Sequence, residues 1–236
     1  MLQYFFIKNQ VYLKDTDGRL IFNADETSSI ISKKFKALVL DKSSIAPISV
    51  QKHEAHISTM LCYNAFGYRL KPFIIIPTRK NMPDELKNVD AFIASQCSGW
   101  MTNKLFTAFV VYFVATMSTY RLELPAELQD KTIFLLVDNH PSRCNSTAVE
   151  FLATHNIKLI TFPGHCTHVM QPYDVGVAST FKLNMSSFRL SNAVREKASS
   201  LNDTAKARYL TVSSIINAWN SIPFEIYKRV LKLQVY

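Results

Sequence analysis

KTIFLLVDNHPSR (residues 131–143) and IKLITFPGHCTHVMQPYDVGVASTFK (residues 157–182) decide the reading of this chain. Ile133–Val137 is an unbroken apolar run with β-branched and aromatic content, the pattern of a strand buried on both faces of a sheet covered by helices. Asp138 closes it and is followed at once by Asn-His-Pro. An acid in that place lies where open α/β sheets hold ligands, in the crevice beyond the carboxyl ends of the strands. The second stretch repeats the design: an apolar strand over 157–162, a Pro-Gly loop, Gln171-Pro172, and then Asp174 opening a helical segment. Both acids are expected to face one crevice.

Working outward, the segments before this pair read as strands and the segments around it as alternating helix and strand. Residues 3–13 and 20–24 have strand character and are separated by the turn cluster Asp15-Thr16-Asp17-Gly18, which places Asp25 at or near a strand end. Successive strand side chains point to opposite faces, so Asp25 and Glu26 cannot serve one ligand if the strand runs through both. Residues 37–40, 56–63 and 72–76 are further strand candidates, with Asn64-Ala65-Phe66-Gly67 as a turn. Thr102 is a good N-cap for a helix running to about Tyr120, and Leu124-Pro125 stops it. Within it, residues 105–115 are almost wholly apolar but too short to span a bilayer, which takes about 20 residues. A helix covering residues 147–155 follows the Asp138 strand. After about Ser191 the chain turns more polar, with amphipathic helical segments over 211–222 and 223–233. The organisation expected is one α/β domain, residues 1–190, with a helical extension, residues 191–236, packed on it.

The 236 residues are 48% hydrophobic and 19% charged, enough for a full core. With 27 basic and 18 acidic residues the net charge is +9, which suits a polyanionic partner, although a basic chain is also simply a soluble one. Cys62, Cys97, Cys144 and Cys166 are too scattered for paired zinc ligands and too few for a disulfide scaffold. His165 and His168 lack a second ligand pair, so zinc is disfavoured. No secretory leader is evident in the start of the sequence.

LLVDNHPS, followed by ITFPGHCTHVMQPYDVGV with 35 residues between Asp138 and Asp174, resembles the DDE endonuclease domain of the pogo/Tigger branch of mariner-superfamily transposases. The first acid of that family lies in an N-x-D-E-T segment, here IFNADETS (residues 21–28), so Asp25 completes the set. CYNAFGYRLKPFIIIP (62–77) and SGWMT (98–102) extend the similarity over most of the chain. Arg143 stands where the family has a histidine, and Met170 and Tyr173 replace leucines around Gln171-Pro172; no acid is lost.

The resemblance implies a ribonuclease-H-like fold, with antiparallel strands first, then alternating strand and helix, in a mixed sheet flanked by helices. It implies a transposase catalytic domain that cuts phosphodiester bonds at transposon ends and joins the freed 3′ hydroxyl to target DNA, the runner-up being a domesticated or inactive derivative kept for DNA or protein interaction. Asp25, Asp138 and Asp174 become the catalytic acids and the ligands of two Mg²⁺ or Mn²⁺ ions. Three carboxylates from distant parts of the chain suit that task, since Mg²⁺ takes oxygen ligands and keeps room for phosphate oxygens. Taken singly, an aspartate after a strand is most often a turn former or helix cap. Asn139 and Gln171 are candidates to orient the acids, and His168 to shape the loop or meet phosphate. Lys33, Lys34, Lys36, Lys182 and Arg189 could meet DNA, against the ordinary reading of a solvated charged face. DNA is the expected partner, with a homodimer on paired DNA ends, a nuclear location, no membrane and no small-molecule substrate. Relatives of this branch carry helix-turn-helix readers ahead of the catalytic domain, for which the residues before Asp25 leave no room, so the chain is expected to be a catalytic portion without its reader.

Overall fold

The computed structural model describes residues 12–31, 55–78, 82–143, 145–163, 171–191 and 201–235. Six strands form one sheet among these residues: β1 (Ile21–Ile31), β2 (Ala55–Asn64), β3 (Phe73–Pro77), β4 (Phe92–Gln96), β5 (Ile133–Val137) and β6 (Ile157–Thr161), in the spatial order β4-β3-β2-β1-β5-β6. β1, β2 and β3 pair antiparallel, whereas β1–β5, β5–β6 and β3–β4 are parallel. That is the expected succession, antiparallel first and parallel after, with β4 as an added edge strand.

The helices are α1 (Asn103–Glu123), the single turn α2 (Ala126–Gln129), α3 (Ser146–Thr154), α4 (Ala178–Leu190), α5 (Asp203–Asn220) and α6 (Phe224–Val235). Strand alternation sorts the core into two layers. Ile133, Leu135 and Val137 of β5 join Phe22 and Ala24 of β1 against α1 and α3, while Phe134 and Leu136 face α4, α5 and α6. α1 is long and apolar enough by composition to cross a membrane. Here it lies on the sheet with Phe106, Phe109, Val110, Phe113 and Met117 buried against it, and Thr102 caps it by accepting the Leu105 N–H.

Several expectations are corrected. Tyr12 and Leu13 belong to a helical turn, not a strand, and residues 1–11 lie outside the described residues, as do 37–40 and Lys33, Lys34 and Lys36. β1 does not stop near Asp25; it continues to Ile31 because β2 pairs with it along that whole length. β4 was not foreseen, being a short edge strand without an alternating apolar pattern. Asp174 lies in a π-helical turn, Tyr173–Val177, ahead of α4, a widened turn of a kind often found at functional sites. α5 begins at Asp203, capped by Asn202, eight residues before the amphipathic segment read from sequence.

The C-terminal helices are part of the lower core layer. Trp219 of α5 is fully buried, its indole N–H donates to the Leu70 carbonyl at 2.8 Å, and its ring meets Tyr63 and Tyr227 edge-on at 6.1 and 5.6 Å. The Arg69 guanidinium donates to the carbonyls of Trp219, Asn220 and Ile222, closing the carboxyl end of α5. Trp219→Ala is expected to cost about 3–5 kcal/mol in urea unfolding. A loss below about 1 kcal/mol would mean that α5 docks on a core that stands without it.

Candidate active site

The cleft arises where two strands part. β1 pairs with β5 only over Ile21–Asn23, the last partner of Asn23 being Leu136, whereas β1 stays paired with β2 to Ile31. Two positions beyond that last pair stand Asp25 on β1 and Asp138 just past β5, so the register sets the two acids side by side at the opening. A cleft of about 440 Å³ forms there, lined by Asp25, Glu26, Asp138, His140, Arg143 and Trp100 among others.

Asp25 is 7% exposed and accepts the backbone N–H of Glu26 at 2.8 Å. Burial, then the charge of Asp174, then that of Asp138 push its carboxyl up to about 8. Asp174 is on the exposed side of its turn and does not line the cleft, yet its carboxyl is also raised, by burial and by Asp138, against the pull of Lys182. The charge of Asp138 is thus felt at both other acids, and that of Asp174 at Asp25.

Asn23 and Gln171 fix this arrangement. The Asn23 amide donates to the Leu136 carbonyl at 3.2 Å and to Gln171 Oε1 at 3.3 Å, and its own oxygen accepts the Tyr173 N–H at 3.1 Å. Gln171 Nε2 donates to the Ala24 carbonyl at 3.2 Å, and the Gln171 side chain hydrogen-bonds the Asp25 carboxylate. One buried amide pair therefore ties β1, β5 and the turn bearing Asp174 together. Asn139 is exposed next to Asp138, and His168 lies outside the described residues.

The cleft also holds a cation. Arg143 is 1% exposed; its Nε donates to Asp138 Oδ1 at 3.0 Å and its Nη2 to Glu26 Oε2 at 3.2 Å. Its guanidinium also lies over the Phe106 ring, 5.2 Å from the centroid. Sequence reasoning had Arg143 only as a departure from a motif, and it had neither Glu26 nor Asn23 as working parts. The one available signal was the unusual arginine five residues after the strand-ending acid. Among the described residues, no three His, Cys, Asp or Glu side chains converge closely enough to hold one ion. Asp138 is drawn toward Arg143, and Asp25 turns one oxygen to its own backbone neighbour.

The profile of the DDE superfamily endonuclease matches residues 54–230. The chain belongs to this family. The matched segment holds Asp138 and Asp174, while Asp25 lies ahead of it. Structures of Mos1 share the fold, which is ribonuclease-H-like. A pre-cleavage Mos1 transpososome superposes with a TM-score of 0.53 at 11% identity, over 99% of this chain and 61% of that one. The catalytic domain of Mos1 mariner transposase gives 0.51 at 12% identity, over 99% and 92%. A Mos1 mariner paired-end complex with Mn gives 0.54 at 12% identity, over 92% and 59%. A curated relative, the MFS-type transporter clz9 of Cochliobolus lunatus, is 23% identical over 168 residues, 69% of this chain but only 18% of that protein.

Proposed function

We propose that this DDE endonuclease chain is a transposase catalytic domain, a metal-dependent DNA endonuclease and strand transferase acting at transposon ends. The observation that carries the reading is the meeting of Asp25 and Asp138 at the mouth between β1 and β5, with Asp174 close enough to raise the proton affinity of Asp25. Support comes also from the family and from structural neighbours that include a Mos1 transpososome and a Mos1 paired-end complex with Mn.

The donor set fits hard divalent cations. Asp25, Asp138 and Asp174 offer only carboxylate oxygens, and the proton affinity of Asp25 and Asp174 is raised by burial first and by neighbouring acids after it, both of which a bound cation would offset. These three would hold Mg²⁺ or Mn²⁺, two ions in this reading. When bound, such ions activate an attacking hydroxyl and stabilise the leaving oxygen of an in-line displacement. The chain's own groups do the rest. Asp25 would give up its proton to take a cation, Gln171 orients that carboxylate, Asn23 holds Gln171 and the Asp174 turn in place, and Arg143 balances Asp138 and Glu26. The reading includes residues 1–190 as the catalytic unit with 191–236 as its extension, a homodimer on paired DNA ends, and a nuclear site of action. An interaction module without catalysis is the second reading, favoured by the ion pair that occupies Asp138.

Nicking of supercoiled DNA in Mg²⁺ and in Mn²⁺, by the parent and by the triple variant Asp25→Asn, Asp138→Asn, Asp174→Asn, decides between them. The parent is expected to nick and the triple variant not. Equal nicking by both would remove the three acids from the mechanism, and no nicking by the parent in either metal would leave the interaction module.

Binding of fully paired DNA is expected to be weak and without sequence preference, resting on phosphate contacts from a chain of net charge +9. In competition titrations log K should fall linearly with log salt, by about 0.9 per phosphate neutralised. Strong selection of one sequence from a random pool would show that the chain has its own reader.

A further inference from the structure

Trp100 stands at the wall of the acidic cleft with 49% of its surface exposed. Exposing so large an apolar ring works against folding, and the loop between β4 and α1 is built to keep it there. Gln96 Oε1 accepts the Ser98 hydroxyl and the Gly99 N–H, at 2.6 and 3.1 Å. The Ser58 N–H donates to the Gly99 carbonyl at 3.2 Å, which ties the loop to β2. Gly99 has φ +74°, and the His56 carbonyl lies where a Cβ would stand, so no other residue makes this turn without displacing backbone. Beyond Trp100, Met101 is buried and Thr102 caps α1. The ring is therefore clamped from both sides in sequence. The His56 imidazole stacks on it, with centroids 5.3 Å apart and planes 28° from parallel.

We propose that Trp100, backed by His56, is a stacking platform for an unpaired nucleobase of the DNA substrate, in the same cleft as Asp25 and Asp138. The proposal rests on the DNA-cleaving reading and names a subsite within it. A rigid aromatic face is what a base with both pairing and stacking broken requires, and it accepts any base because each has a π-face. A base inside intact duplex has no face to offer, so the ligand is an extruded base or a single-stranded flank. The carboxylates that share the cleft accept phosphate only once a cation neutralises them, so with the cation bound the phosphate is drawn to the acids and the base is left to Trp100.

The other tryptophan, Trp219, is fully buried, so emission changes on DNA binding report Trp100. The measurement is a titration in Ca²⁺ of the parent, Trp100→Phe and Trp100→Ala with two end-labelled blunt duplexes that differ only in one bulged, unpaired adenine, affinity being read from the anisotropy of the label. Expected are quenching of the parent's tryptophan emission by the bulged duplex, and a loss of affinity for it in Trp100→Ala of about fivefold or more. The fully paired duplex should change by less than about twofold, and Trp100→Phe should keep affinity for the bulged duplex within about threefold. Equal losses on both duplexes, or none on either, overturn the platform. If the parent still nicks plasmid in that case, the DNA-cleaving reading stands; if the parent binds neither duplex, both fall. Unchanged melting temperature of Trp100→Ala separates loss of the platform from loss of fold.

Discussion

Asp25→Asn is expected to abolish metal-dependent cleavage and at the same time to stabilise the metal-free chain. The two effects have one cause. Asp25 is buried beside two other acids, and its carboxyl is pushed up to about 8, so the folded state holds its proton far more tightly than the unfolded chain does. For a raised carboxyl, the stabilising contribution is fully present below the unfolded value, near 4, and is lost as pH rises through the folded value, near 8. At pH 8 the ionised carboxylate is therefore a burden that asparagine, of the same size and always neutral, removes. With about 1.4 kcal/mol for each tenfold in proton affinity, the gain in urea unfolding at pH 8 in EDTA is expected to be about 2–4 kcal/mol, shrinking toward nothing at pH 4. Mn²⁺ should reverse the order by stabilising the parent and not the variant. A variant less stable than the parent at pH 8 without metal would show that Asp25 is held by something other than burial and its acidic neighbours.

How far the molecule could be read beforehand follows the range of the interactions involved. β5 was legible because five consecutive apolar residues buried on both faces have few other homes, and α1 because Thr102 and Leu124-Pro125 mark its ends locally. Asp138 and Asp174 were singled out by motif and by strand ends. The run of β1 through Asp25 was not, because it depends on ten paired positions with β2, whose partner residues lie more than twenty positions away in sequence. Nor was the work of Asn23, which is decided by Leu136, Gln171 and Tyr173, all over a hundred residues distant. The expectation that Asp25 and Glu26 cannot serve one ligand has its counterpart in the structure: Asp25 meets Gln171 and feels Asp174, while Glu26 meets Arg143.

Arg143→Gln is expected to destabilise the metal-free chain by about 3–5 kcal/mol, the scale for removing one partner of a buried ion pair. The guanidinium is 1% exposed and stands between Asp138 and Glu26, whose side chains are 22% and 19% exposed, with Phe106 beneath it. Without it two carboxylates share a partly dry cleft edge and no fixed cation balances them. The same loss frees Asp138, so the variant should bind Mn²⁺ about tenfold more tightly than the parent by calorimetry, an opposed movement of stability and metal affinity that a merely structural arginine would not produce. Adding Asp138→Asn to Arg143→Gln should restore part of the metal-free stability and remove the gain in Mn²⁺ affinity, since one of the two repelling charges and the freed ligand go together. Arg143→Lys keeps the charge but cannot address two acceptors with a planar fork, so it should fall between parent and Arg143→Gln in both measurements. If Arg143→Gln binds Mn²⁺ no better than the parent, the arginine does not compete for Asp138, and the ion pair must be assigned to orienting that acid instead.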